Sequence, residues 1–157
     1  MKKEFESLPY RDNVGVIIFK DNKFLLVQLQ EWPENYWKFP QGGVDKNETS
    51  KETAFREVEE ELGTNKIKIL HKSKFQNIYD FPDDKIELIG KKWRGQKQTF
   101  FVAEFIGADD DLVPNPEEIR TYTWCLKEDL KNLISHDNPI FNNYYEFISK
   151  VLEEFNF

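Results

Sequence analysis

Glu57, Glu60 and Glu61 are the residues of this chain whose types and spacing best suit chemistry. On a helix, positions i, i+3 and i+4 share a face, so three carboxylates would crowd together there. Like charges so placed repel by roughly 0.2–0.5 kcal/mol per pair even when solvated. Burial would raise that cost and push a proton onto one of them. A divalent cation removes the conflict, and oxygen-only ligands favour magnesium or manganese over zinc. Ions held there would neutralise a polyphosphate, align it and lower the pKa of an attacking water. The competing reading is plain: in a chain with 18 Glu, a Glu-rich helix is most often a solvated face.

The element that must position these acids is a helix over Ser50–Leu62. Thr49 and Glu52 have the spacing of a capping box, and Gly63 suits the left-handed residue after the last turn. Ala54, Phe55, Val58 and Leu62 fall on an adjacent face that can bury itself, leaving the acids on another. Upstream, Val14–Phe19 and Phe24–Leu29 read as a hairpin, and Tyr36–Pro40 as a short strand ending at Gln41-Gly-Gly43. Lys66–Leu70, Phe75–Asp80, Lys85–Ile89, Thr99–Ile106 and Ile119–Trp124 are further strand candidates. A last helix would be capped by Asn138, begin at Pro139, and carry a stripe of Ile140, Phe141, Tyr144, Tyr145, Ile148, Val151, Leu152 and Phe155. This order predicts an α/β layered domain.

Composition narrows the function classes. The 157 residues suit a single domain, 1–157, with 39% hydrophobic residues to fill a core. No secretory signal or membrane-spanning run is read, so a cytoplasmic location is expected. Cys125 is the single cysteine, and with His71 and His136 as the only histidines a closed Cys/His zinc site is implausible. No Gly-x-Ser-x-Gly elbow occurs. A net charge of -7 argues against a general basic surface for duplex DNA, yet leaves a metal-neutralised phosphate substrate open. No protein partner is readable.

The wider pattern decides between the two readings of the acids. Gly42, Glu48, Arg56, Glu57, Glu60, Glu61 and Gly63 stand together at fixed spacing in a chain with 7 Gly and 18 Glu. A chance match has odds of about one in a million at such composition. The segment resembles the Nudix box, with Thr64 where a final aliphatic residue is usual. Tyr10-Arg-Asp-Asn-Val-Gly15, Trp37-Lys-Phe-Pro-Gln-Gly-Gly43 and Gly95-Gln-Lys-Gln-Thr-Phe-Phe101 are similar to segments of bacterial RNA pyrophosphohydrolases, a group that includes dinucleoside polyphosphate hydrolases.

The resemblance implies a Nudix-type α/β/α domain with a mixed sheet. It implies Glu57, Glu60 and Glu61 as ligands of Mg2+ (or Mn2+), with Glu57 also positioning or deprotonating water. Glu118 would be a fourth acid, ligand or general base, with Glu117 beside it; the alternative for both is a solvated loop. Glu48 and Arg56 would pair and brace the loop against the helix, with direct phosphate contact as the alternative for Arg56. Gly42 and Gly43 would allow a tight backbone path beside the metals, where an ordinary turn is the alternative. Arg11 and Lys38 are substrate-binding candidates, Arg11 against an alternative of a surface ion pair. Phe141 is a candidate for stacking on a base, with core packing as its alternative. Lys91, Lys92, Arg94 and Lys97 form a basic cluster that would guide an RNA backbone if it lay near the metals. The related enzymes often carry an Arg before Trp-x-Phe-Pro, and Gln30–Tyr36 has none. Two substrates follow: the 5′-triphosphate end of RNA, with a place in mRNA decay, or a dinucleoside polyphosphate such as Ap4A. A catalytically silent binding module is the third reading, and the intact acid set argues against it.

Overall fold

Seven strands join into one mixed sheet in a computed structural model that describes residues 1–136 and 143–157. They are β1 (Tyr10–Lys20), β2 (Lys23–Leu29), β3 (Gln41–Gly43), β4 (Ile67–Lys72), β5 (Asn77–Asp80), β6 (Gly95–Phe105) and β7 (Ile119–Leu126). The order is β4-β6-β1-β2-β7, with β3 on β1 and β5 on β6. β1 and β6 run parallel from Tyr10↔Gly95 to Phe19↔Glu104, and the other pairs are antiparallel. The helices are α1 (Ser50–Leu62), α2 (Asp83–Leu88), α3 (Leu130–Ile134) and α4 (Tyr144–Glu154).

Alternation along β1 builds a core on each face of the sheet. Val14, Val16 and Ile18 pack with Ala54, Val58 and Leu62 of α1. Ile17 points the other way, into a cluster with Leu130 and Ile134 of α3 and with Ile148, Val151 and Leu152 of α4. The layers are therefore α/β/α. Burying Val58 and Leu62 stabilises α1 on the sheet by about 1.5–3 kcal/mol per side chain.

The sheet splits where it matters for function. β1 pairs with β2 only at the hairpin end, Phe19↔Phe24 and Lys20↔Lys23. Further along, residues 38–43 enter between the two strands. Lys38 exchanges backbone bonds with Val27 at 2.8 and 3.0 Å, the Val16 N–H donates to the Pro40 carbonyl, and β3 zips onto Asn13–Gly15. This inserted strand lies against α1, whose start is locked by a capping box: Glu52 N–H donates to Thr49 Oγ1 at 3.1 Å, and Thr49 N–H to Glu52 Oε1 at 3.4 Å.

Three expectations are corrected. Lys85–Ile89 is not a strand: Pro82 caps α2, Asp83 and Asp84 occupy its first turn, and Ile86 and Ile89 pack in the small cluster with Phe5 and Phe81. β6 begins at Gly95 rather than Thr99, because Gln96 and Gln98 break the apolar pattern but bury themselves through hydrogen bonds. α3 was not foreseen, since Leu130 and Ile134 make up its whole buried stripe. Asn138, Pro139, Ile140 and Phe141 lie outside the described residues, so the start expected for the last helix is not addressed. Among the described residues no helix is long and apolar enough to cross a membrane.

Gly63 ends α1 at φ +71°, and a Cβ there would stand 2.6 Å from the Val113 carbonyl oxygen. Gly63→Ala is expected to destabilise the protein by about 1–2 kcal/mol, read as a lowered denaturation midpoint with an unchanged slope.

Candidate active site

The inserted strand meets α1 at its acidic end. A methyl group at Gly42 would fall on the Glu57 carboxylate, and one at Gly43 on the Arg11 guanidinium. A side chain at either position would therefore displace the free end of Glu57 or of Arg11. Arg11, on β1, lies across the Gly43 backbone and lines a cleft of about 680 Å3 that also includes Tyr10, Lys46, Glu48, Lys92 and Trp93.

Arg56 joins loop to helix with every donor it has. Its Nε donates to Glu48 Oε2 at 2.8 Å and its Nη2 to Glu48 Oε1 at 2.9 Å, the two-pronged geometry a planar guanidinium favours. Nη2 also donates to the Gly43 carbonyl at 2.8 Å. Nη1 donates to Glu57 at 2.8 Å and to Glu60 at 3.2 Å. Glu48 further accepts from Thr53 Oγ1 at 2.6 Å and from the Asp45 N–H at 3.2 Å. The Arg56 side chain, first among these partners, holds the Glu48 carboxyl down at a pKa of about 2.

The three acids of the helix are not equivalent. Glu57 and Glu61 lie on the buried side with Val58 and Leu62, whereas the Glu60 side chain is 50% exposed. The separate acidic face expected from the helical wheel is thus half inside the protein. Glu57 and Glu61 line a cavity of about 340 Å3 with Lys38, Gln41, Trp32 and Glu118. Burial pushes the carboxyls of Glu57 and Glu61 above the ordinary range, and burial likewise pushes the Lys38 ammonium below its own. Lys38 Nζ stands 3.9 Å from Glu61 Oε1, and the Gln41 backbone N–H donates to Glu61 Oε2 at 3.1 Å. Glu118 faces the same cavity from the loop before β7, with Glu117 next to it.

Five glutamates, Glu31, Glu57, Glu61, Glu117 and Glu118, against Lys38 leave this cavity rich in acidic groups. The acidic donor set is all oxygen, and Glu60 is exposed enough to turn. These features fit a hard divalent cation. Among the described residues no three acidic side chains already converge on one point, because Arg56 holds Glu57 and Glu60.

The basic cluster read from the sequence is divided by the fold. Arg94 is bound to Asp80 at 2.8 Å and to the Glu6 carbonyl at 2.9 Å, and Lys91 faces Glu4 at 3.9 Å. Lys92 lines the Arg11 cleft, while Lys97 lines a different one with Lys72 and Gln76. Phe141 lies outside the described residues. Sequence reasoning passed over Trp32 and Gln41, which line the acidic cavity, and Arg120. From β7, Arg120 donates to the Gln30 and Trp32 carbonyls at 2.8 and 3.1 Å, bracing the Arg-free segment. Nothing local in the sequence pairs Arg120 with that segment; Gln41 sat inside a quoted motif.

Comparison with known proteins gives the family of the chain. The NUDIX domain model matches residues 9–147. The chain is 37% identical over 123 residues to an RNA pyrophosphohydrolase of Gluconobacter oxydans, covering 75% of this chain and 72% of that one. It is 32% identical over 158 residues to an RNA pyrophosphohydrolase of Zymomonas mobilis, covering 96% and 97%. Among solved structures, the fold is similar to the E. coli dihydroneopterin triphosphate pyrophosphohydrolase (TM-score 0.70, 16% identity, 92% and 99% covered). It is also similar to a C. elegans Ap4A hydrolase (TM-score 0.62, 20% identity, 89% and 98% covered).

Glu48→Gln removes the charge that Arg56 grips and is expected to cost about 1–3 kcal/mol of stability at neutral pH. Because folding depresses the Glu48 pKa, the wild-type advantage is full above the ordinary value of 4.5 and fades as pH falls towards 2. Denaturant titrations of both proteins across that window check the sign; a gap that stays constant to pH 2 would contradict it.

Proposed function

The chain belongs to the NUDIX domain family, and from that premise we propose that it removes pyrophosphate from the 5′-triphosphate end of RNA, leaving a 5′-monophosphate end. The observation that carries the reaction class is the shared cavity of Glu57, Glu61 and Glu118 at the seam between α1 and the inserted strand. The substrate rests on relatives of 30–37% identity that are named RNA pyrophosphohydrolases. We read residues 1–157 as one such domain, working in the cytoplasm at a step of mRNA decay.

Glu57, Glu60 and Glu61 are assigned as ligands of magnesium, with manganese as an alternative and Glu118 as a fourth acid. A divalent ion held there supplies charge neutralisation on the polyphosphate and acidifies a bound water. The chain's own groups do the rest. Glu57 or Glu118 accepts a proton from the attacking water, in reach of the cavity both line. Lys38 brings a positive charge to the same cavity, where a low dielectric strengthens its pull on phosphate oxygens. Arg11 and the Gly42-Gly43 backbone take the phosphates on the far side of Arg56. Glu48, Arg56 and Gly63 hold the frame.

Incubated with magnesium and triphosphorylated RNA, the protein is expected to release pyrophosphate and leave monophosphorylated RNA, with Ap4A assayed separately beside it. Cleavage of Ap4A alone would replace this reading with the dinucleoside polyphosphate one. Glu60→Gln, at a half-exposed position, is expected to lose at least about two orders of magnitude in rate while melting at the wild-type temperature. Near-normal turnover would remove Glu60 from the ligand set.

A further inference from the structure

A chain of side-chain amides, buried at Asn77, Gln98 and Asn13, runs from the exposed Asn143 to the half-buried Gln41 in the acidic cavity. Asn143 Nδ2, at the start of α4, donates to Asn77 Oδ1 at 3.4 Å. Asn77 Nδ2 donates to Gln98 Oε1 at 3.1 Å. Gln98 Nε2 then donates twice, to Asn13 Oδ1 at 3.0 Å and to Gln41 Oε1 at 3.3 Å. Gln98 is 1% exposed, Asn13 3% and Asn77 6%, so the bonds among these three replace water that is absent.

The direction of the chain carries the argument. Gln98 spends both N–H groups on acceptors, and its oxygen is committed to Asn77. It can only present donors to Gln41, and so it consumes the Gln41 oxygen. Among the described residues no acceptor meets Gln41 Nε2, and Gln41 lines the cavity of Glu57, Glu61 and Glu118. An amide is neutral, so it adds a donor there without cancelling the acids that hold a cation. Neither a hydroxyl nor a freely rotating amide would have a set donor edge.

Resting on the phosphoanhydride reading above, we propose that Gln41 is a substrate-binding residue that donates through Nε2 to a phosphate oxygen, and that Gln98 is a positioning residue that fixes its amide by the relay from Asn143 and Asn77. The function served is recognition of the polyphosphate in the cavity that Lys38 also lines, with a donor that does not compete with the cation.

The test uses the full chain with magnesium and inorganic pyrophosphate, read by calorimetry, beside kcat and KM on triphosphorylated RNA. Gln41→Ala is expected to weaken pyrophosphate binding and kcat/KM by about ten- to a hundredfold, with its melting temperature held. Gln98→Leu is expected to give a similar loss alone and little more in the Gln41→Ala background, since it acts through Gln41. Should Gln98→Leu fail to fold, Gln98→Glu carries the same test: it keeps the Asn77 bond but turns an acceptor towards Gln41. Wild-type pyrophosphate affinity in Gln41→Ala, equal losses for the Gln98 variants in both backgrounds, or no pyrophosphate binding by the wild type would each overturn the proposal. Intact pyrophosphate binding without hydrolysis of RNA or Ap4A would sink the reaction reading and leave this one standing.

Discussion

Arg56 bears the structural constraint on which the site depends. Its five N–H groups reach Glu48 and the Gly43 carbonyl on the loop, and Glu57 and Glu60 on the helix. Without that cation, one turn of α1 would hold acids with no nearby partner at half-buried positions, and the repulsion would fray the contact between loop and helix. With it, the Gly43 carbonyl is tied to the helix and the Gly42 backbone lies close against the Glu57 carboxylate. A lysine would not substitute, because a point charge cannot serve a fork of carboxylates and a carbonyl in one plane.

The opening of the sheet gives this brace something to hold. Where β1 and β2 part, residues 38–43 enter and satisfy backbone groups on both sides, so a sheet edge that would need water is paired inside the protein. The inserted piece brings Lys38 and Gln41 to one side of Glu61 and the glycines to the other. The charge left over is negative and enclosed. Burial raises the carboxyl pKa values of Glu57 and Glu61 and lowers that of Lys38, and the surplus of acids suits a site completed by a cation and phosphates.

The polar lining of the opposite face follows the same economy. Along β6 the inward row is Phe100 and Val102 beneath α4, then Gln98 at the end nearest the cavity. The change from hydrocarbon to amide occurs where the sheet stops carrying core and starts carrying substrate contacts. Hydrogen bonds among Asn13, Gln98 and Asn77 make that change tolerable inside the protein.

The chain's local order was legible wherever a repeating pattern or a cap speaks for itself. Thr49, Glu52 and Gly63 bound α1 where the capping rules put them, the hairpin of β1 and β2 follows from its apolar runs, and the Nudix spacing names the family before any coordinates. Lys85–Ile89 misled because a short apolar-alternating run suits either element, and Pro82 with two aspartates tipped it to helix. Gln96 and Gln98 hid the start of β6 because polarity reads as loop unless the partners are known. Tertiary structure alone decided that Glu57 and Glu61 go inside while Glu60 stays out, that Arg94 is spent on Asp80 away from the acids, and that Arg120 supports the segment around Trp32. Periodicity is a property of neighbours in the chain; burial and pairing are set by residues as many as 90 positions apart, such as Arg120 and Gln30.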